Sequence, residues 1–230
     1  MELPANKFKA AIQARKPQIG IWSSLCSNIV ADVLGTAGYD WALIDMEHSP
    51  NELTSVLGQL QAYEVGGTTP IVRPPWNDAV IVKRLLDVGA TTLLFPMIQT
   101  PEEALAAVRS TRYQPNGIRG ISMATRANRY GRIKDYMKRA HEEICVLVQV
   151  ESRAAIERAG EIAAVPGVDG VFFGPGDLSA DLGLTGQPGH PDVAALMRQG
   201  HERVSAAGKP SGTLIGDPAQ AIGWLKAGFS

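Results

Sequence analysis

The feature that most narrows the possible folds is a pattern repeated seven times along the chain. Each repeat is a short apolar run, a polar turn, and a stretch with helical spacing that closes on glycine or a polar loop. The apolar runs are Ile19–Trp22, Trp41–Ile44, Pro70–Val72, Thr92–Phe95, Ile144–Val150, Val171–Phe173 and Ser211–Ile215. Apolar spacing through Ile29, Val33 and Leu34, through Leu53, Val56, Leu57 and Leu60, and over Asp78 to Val88 predicts the first three helices between them. Thr100 before Pro101, Glu102 and Glu103 reads as the N-cap of the fourth. Asn116 to Arg132 has no clear period and reads as a surface loop over the site. Further helices are expected over Asp135–Glu143, Ser152–Ala164, Pro191–Ala207 and Pro218–Ala227, with a loop from Asp177 to His190. Lys7 to Arg15 predicts a short amphipathic helix under the fold.

Strands alternating with helices imply a parallel sheet. Seven such units without a break over residues 1–230 favour one α/β domain, a (β/α)8 TIM barrel, over an open doubly wound sheet. Seven strands cannot close an eight-stranded barrel, so the eighth strand and last helix are expected to be missing from this chain. The 230 residues carry a net charge of −1, which provides no electrostatic case for nucleic acid or an anionic membrane as partner. The N-terminus shows no apolar signal-like run. The two cysteines, Cys26 and Cys145, are both expected inside apolar strand-like segments, where a free thiol packs as a small hydrophobe. The expected location is the cytoplasm.

Polar residues cluster after the strands, where barrel active sites are built. Asp45-Met46-Glu47-His48 closes the second strand. A carboxylate three residues from a histidine can orient the imidazole and make a base tuned near neutral pH. The same residues read equally as a cap cluster for the next helix, and Glu47 reads as structural. Arg73 shares a strand face with Ile71 and points toward the barrel mouth, where a buried guanidinium needs an anion. That anion is a substrate carboxylate or enolate, or a strand-end carboxylate such as Asp45. Gln149 and Glu151 alternate onto one face of the fifth strand, and Asp177 lies 26 residues on, about one βα unit. Two oxygen ligands, completed by waters and a chelating substrate, suit Mg²⁺, Mn²⁺ or a similar ion; helix capping is the competing role. Gly174-Pro175-Gly176 is a turn whose backbone could approach an anion.

The lysines exclude one competing chemistry. A Schiff-base aldolase on a barrel needs a lysine projecting from a strand into the barrel. Lys7, Lys9, Lys16, Lys83, Lys134, Lys138, Lys209 and Lys226 all lie outside the strand runs and their C-terminal ends. Carbonyl chemistry in this chain therefore requires a metal as electron sink.

Five ordered motifs resemble one family along nearly the whole chain. They are Asp45-Met46-Glu47-His48-Ser49-Pro50-Asn51, Val72-Arg73-Pro74-Pro75-Trp76-Asn77, Gly117-Ile118-Arg119-Gly120, Val148-Gln149-Val150-Glu151 and Gly174-Pro175-Gly176-Asp177-Leu178-Ser179. The sequence resembles the HpcH/HpaI family, class II pyruvate aldolases whose name-giving activity is 4-hydroxy-2-oxoheptanedioate cleavage. The resemblance implies a barrel of the phosphoenolpyruvate/pyruvate type and a divalent metal, Mg²⁺, Mn²⁺ or Co²⁺, on Glu151 and Asp177. It also implies His48 with Asp45 as acid–base dyad, Arg73 as enolate stabiliser, and Gln149, Gly174 and Pro175 as substrate contacts. Its members are usually hexamers with sites near subunit contacts, which implies a homo-oligomer here.

The resemblance leaves the aldehyde open. Arg119, Arg126 and Arg129 on the long loop are candidates to attract an acidic acceptor, with surface solvation the competing role for at least two of them. Three other functions are weighed against the leading one. A 2-keto-3-deoxy sugar-acid aldolase would share the core motifs. An acyl-CoA lyase of the citrate-lyase-β-like branch would need a basic groove. A non-catalytic 2-oxo-acid binder would have no use for His48.

Overall fold

The structure is a computed structural model describing residues 1–230. Seven strands form one parallel sheet in sequence order: β1 (Gly20–Ser23), β2 (Trp41–Asp45), β3 (Thr69–Arg73), β4 (Thr92–Phe95), β5 (Cys145–Val150), β6 (Gly170–Phe173) and β7 (Ser211–Thr213). A helix runs beneath the first strand, α1 (Lys7–Gln13), and others connect the strands: α2 (Asn28–Thr36), α3 (Leu53–Ala62), α4 (Ala79–Asp87), α5 (Pro101–Thr111), α6 (Tyr136–Glu143), α7 (Arg153–Glu157) and α8 (Ala159–Ala164). After β6 come α9 (Pro175–Asp181) and α10 (Pro191–Ala206), and α11 (Pro218–Lys226) follows β7. Each strand pairs only with its sequence neighbours, as expected of successive βα units, and β1 and β7 are the two edges.

Alternation along the strands sorts the side chains into two cores. Leu43, Ile71, Leu94, Cys145, Leu147 and Phe172 fill the inside of the curled sheet, closed below by Phe8 and Ile12 of α1. Trp22, Trp41 and Phe172 meet there edge to face or tilted, with ring centroids 5.7–6.5 Å apart. The opposite parity, including Ala42, Ile44, Val72, Phe95, Val146, Val148, Val171 and Phe173, packs outward against the helices. This parity decides where the polar strand ends go. Asp45 follows Leu43, Arg73 follows Ile71, and Gln149 and Glu151 follow Leu147, so all four continue the inward face.

The helix starts follow local chemistry. Thr100 accepts from the Glu103 N–H while Glu103 accepts from the Thr100 N–H, a complete capping box ahead of Pro101. Asp78 caps α4 through Val80 and Ile81. Two expectations change. The segment expected as a single helix over 152–164 is broken at Arg158 into α7 and α8. The loop expected after Asp177 begins with α9, because Gly174 acts as N-cap and Pro175 supplies a preset first helical turn. No helix is long and apolar enough to cross a membrane.

Candidate active site

Arg73 is the centre of the polar cluster. It is buried, and its Nε and Nη2 donate to the two oxygens of Asp45 at 2.9 and 2.7 Å. Its Nη1 lies 3.0 Å from Glu47 Oε2 and donates to Gln149 Oε1 at 3.4 Å. The Trp22 ring lies below, with its centroid 5.6 Å from the guanidinium carbon. Backbone pairing explains the closeness of the first pair, since Asp45 and Arg73 are register partners on β2 and β3. Arg73 therefore has the carboxylate partner that competed with the substrate role, and it also reaches past β4 to Gln149 on β5.

The expected pairing of Asp45 with the His48 ring is not what the structure contains. The Asp45 carboxylate is committed to Arg73, and it accepts from the backbone N–H groups of Glu47 and His48 at 3.0 and 3.4 Å. β2 ends at Asp45, so the next residues turn over the carboxylate and present their amides to it. The His48 ring projects outward, with its side chain 67% exposed, and its nearest acidic atom is Glu47 Oε2 at 3.7 Å. Burial raises the Asp45 pKa, but the Arg73 hydrogen bonds and charge outweigh it and hold the carboxyl below its ordinary value.

Glu47, read from sequence as structural, belongs to the cluster. It touches Arg73 and His48, and its Oε2 is buried without a hydrogen bond of proper geometry. Burial pushes its carboxyl up, against the pull of Arg73 and with a further push from the Glu151 charge. Sequence alone had one signal for it: a third carboxylate inside the same strand-end motif.

Glu151 is buried one residue past the end of β5, where it continues the inward parity. Its Oε1 accepts from the Met97 N–H at 2.8 Å and its Oε2 from Gln149 Nε2 at 2.7 Å. Burial raises its pKa; those two bonds oppose the rise, and the Asp177 charge adds to it. The structure thus brings Glu151 and Asp177 within electrostatic reach, Asp177 being exposed in the first turn of α9.

Gly174 has a steric role. A Cβ there would run into Glu151 Oε2 and come within 3.1 Å of Gln149 Nε2. Neither Gly174 nor Pro175 offers a free backbone donor, because the Gly174 N–H is given to Val150 O and proline has none. Gly176 and Asp177, the next two residues of α9, carry the N–H groups that helix geometry leaves without an acceptor.

These residues suit a divalent cation. Each Glu151 oxygen has one donor and keeps a lone pair, the Asp177 carboxylate is within its electrostatic reach, and the glycine leaves room beside the carboxylate. Histidine, cysteine and carboxylate side chains do not gather here in threes. A cation would therefore take two protein carboxylates and complete its shell from water or substrate.

The loop arginines do not face the site. Arg119 is buried, donates to Asp87 at 2.8 Å and lies over Tyr113 at 4.5 Å. Arg126 and Arg129 both donate to Glu64 Oε1, at 2.7 and 2.8 Å. They tie the loop to α4 and to the segment after α3. This corrects both sequence expectations, attraction of an acidic acceptor and surface solvation.

Known proteins resemble this chain along nearly its whole length. The family model described as HpcH/HpaI aldolase/citrate lyase matches residues 18–229. The 4-hydroxy-2-oxo-heptane-1,7-dioate aldolase of Shigella sonnei is 51% identical, over 97% of this chain and 86% of that protein. The pyruvate aldolase of Rhizobium etli is 48% identical over 100% of this chain and 91% of its own length. A crystal structure of an HpcH/HpaI aldolase/citrate lyase family protein from Burkholderia cenocepacia superposes with a TM-score of 0.95 at 41% identity, over 98% of this chain and 90% of that one.

Proposed function

Because the chain belongs to the HpcH/HpaI aldolase/citrate lyase family, we propose that its strand-end cluster is the active site of a class II pyruvate aldolase acting on 4-hydroxy-2-oxo acids. The protein is a carbon–carbon lyase that cleaves such acids to pyruvate and an aldehyde, or joins them in reverse. The observation that carries the site assignment is the packing of a buried, carboxylate-held guanidinium against Gln149, whose other end donates to Glu151, with Asp177 in electrostatic reach of that carboxylate.

Glu151 and Asp177 would hold the divalent metal, which when bound supplies Lewis-acid stabilisation of negative charge on the 2-oxo acid. Arg73 binds the oxygens of the 2-oxo acid and stabilises the enolate as charge develops. Its guanidinium keeps a fixed plane because Asp45 grips it from one side and Glu47 from another. Gln149 donates to Glu151 and accepts from Arg73, so it links the anion-binding half of the site to the metal-binding half. Gly176 and Asp177 N–H groups at the start of α9 are the backbone donors for the substrate carboxylate. His48, exposed at the mouth, moves the proton at the aldehyde oxygen; its partner in this arrangement is Glu47, and Asp45 serves Arg73.

The engagement of Arg119, Arg126 and Arg129 by Asp87 and Glu64 removes the basic groove an acyl-CoA substrate would need. We take residues 1–230 as one aldolase domain, working in the cytoplasm as a homo-oligomer. The two free cysteines fit a reducing compartment.

The experiment is pyruvate release from 4-hydroxy-2-oxo acids with dicarboxylic and sugar-derived acceptor halves, with and without chelator. Activity should vanish in chelator and return with Mg²⁺ or Mn²⁺. Full activity in chelator would sink the metal assignment. His48→Ala should slow release by ~10²–10⁴-fold with metal affinity unchanged; a matched loss of both would make His48 a ligand or a structural residue.

A further inference from the structure

Between β4 and α5 the chain runs Phe95-Pro96-Met97-Ile98-Gln99-Thr100, and Met97 has a φ of 55°. Five other non-glycine residues have positive φ: Arg15, Cys26, Arg129, Tyr130 and Asp135. Met97 is the one among the six whose N–H is given to a carboxylate of the candidate site. Methionine has no local side-chain hydrogen bond to offset the crowding of its Cβ in this region, and glycine would adopt it freely. Such a conformation persists only where the surroundings over-determine it.

Those surroundings lie at the end of β5. A left-handed residue turns successive N–H groups toward one side. Met97 N–H goes to Glu151 Oε1 at 2.8 Å and Ile98 N–H to Gln149 O at 3.0 Å. One residue further, Ser152 Oγ donates to Gln99 Oε1. Gln99 and Thr100 N–H groups then close on Glu103 Oε2 at 2.6 and 3.3 Å, joining the turn to the α5 capping box. The turn is thus latched to Gln149, Glu151 and Ser152 in succession. Glu151 has one donor on each oxygen, so its plane is defined by two bonds. One comes from Gln149, a side chain also engaged with Arg73, and the other from the Met97 backbone.

We infer that Met97 is a positioning residue for Glu151, its left-handed backbone holding the N–H that sets the plane of the metal-binding carboxylate. The role rests on the reading of Glu151 as a metal ligand. Its consequence is specific: what matters at position 97 is whether the residue accepts a positive φ, and the side chain itself is secondary. A β-branched residue would drive the turn out of this region and withdraw the N–H, whereas glycine would keep it.

The test is Mn²⁺ binding to the purified full chain, followed by electron paramagnetic resonance of free Mn²⁺, for the parent, Met97→Gly, Met97→Ile and Glu151→Gln. Met97→Ile should weaken Mn²⁺ binding ~10- to 100-fold, as loss of a hydrogen bond to a ligand does. Met97→Gly should stay within ~3-fold of the parent. A folded Met97→Ile protein that binds Mn²⁺ like the parent overturns the inference, and so does a Met97→Gly protein as weak as Met97→Ile. Glu151→Gln separates the premise: if it too binds Mn²⁺ like the parent, Glu151 is not a ligand and the metal reading fails first. Should Met97→Ile not fold, amide exchange at Met97 decides. The amide should be protected in the metal-free parent and exchange ~10-fold or more faster in Glu151→Ala; equal rates overturn the role.

Discussion

Replacing Asp45 by asparagine isolates the interaction that holds Arg73. The two side chains are nearly isosteric, so the change removes charge and leaves volume intact. Asp45 and Arg73 are both buried and share two charge-assisted hydrogen bonds, at 2.9 and 2.7 Å. Removing one partner of a buried pair leaves an uncompensated ion and costs about 3–5 kcal/mol. Glu47, 3.0 Å from Nη1, retains part of the compensation, which places the loss near the lower end, about 3 kcal/mol. A chain of this length loses about 2–4 °C in Tm per kcal/mol, so Asp45→Asn should melt ~6–12 °C lower at neutral pH. The pH dependence has a definite sign. Asp45 titrates lower in the folded state than an ordinary aspartate, held down by the Arg73 hydrogen bonds and charge against the opposing effect of burial. Its contribution is therefore full above the ordinary value and is lost as pH falls through the lower folded one. The gap between parent and variant should be constant around neutrality and close in that acid window. Circular dichroism melts across pH measure both. A variant melting within ~2 °C of the parent at neutral pH would refute the claim that this pair holds the guanidinium.

Two further expectations follow from the same geometry. Gly174→Ala places a methyl against Glu151 Oε2, so it should fold but bind Mn²⁺ at least ~10-fold more weakly; parental affinity would show that the carboxylate does not need the space. Glu47 and Glu151 both take protons more readily folded than unfolded, so their protonated forms favour the metal-free fold, and this advantage fades as pH rises through the raised values. A divalent metal must displace that proton, so the Tm gained on adding Mg²⁺ should be larger at about pH 8 than at about pH 5; a gain independent of pH would separate Glu151 from the metal.

The strand ends were legible because parity is a sequence property. Arg73 shares the parity of Ile71, and Gln149 and Glu151 that of Leu147, so their inward direction followed from which face was apolar. Thr100 as N-cap was readable for a similar reason, since its capping box lies within four residues. Beyond the strands this local reading failed in identifiable ways. His48 lies past the last residue of β2, where alternation stops, and its ring turned outward while its backbone N–H met Asp45. The loop arginines carried no periodic signal; Asp87 and Glu64, which they meet, are more than thirty residues away in sequence.

What the sequence determined by itself is the parallel βα architecture, the polar inward face at the strand ends, and the lack of a barrel lysine. These depend on periodicity and residue type over a few positions. Tertiary structure decided which partner each charge took. Asp45 went to Arg73 through the register of β2 and β3, Glu47 joined the cluster, and the turn at Met97 after β4 delivered a backbone N–H to Glu151 at the end of the adjacent β5. Buried charges and donors must be satisfied by whatever lies within about 3 Å. In a curled sheet that neighbour is set by strand order and register, which bring residues far apart in sequence to the same mouth.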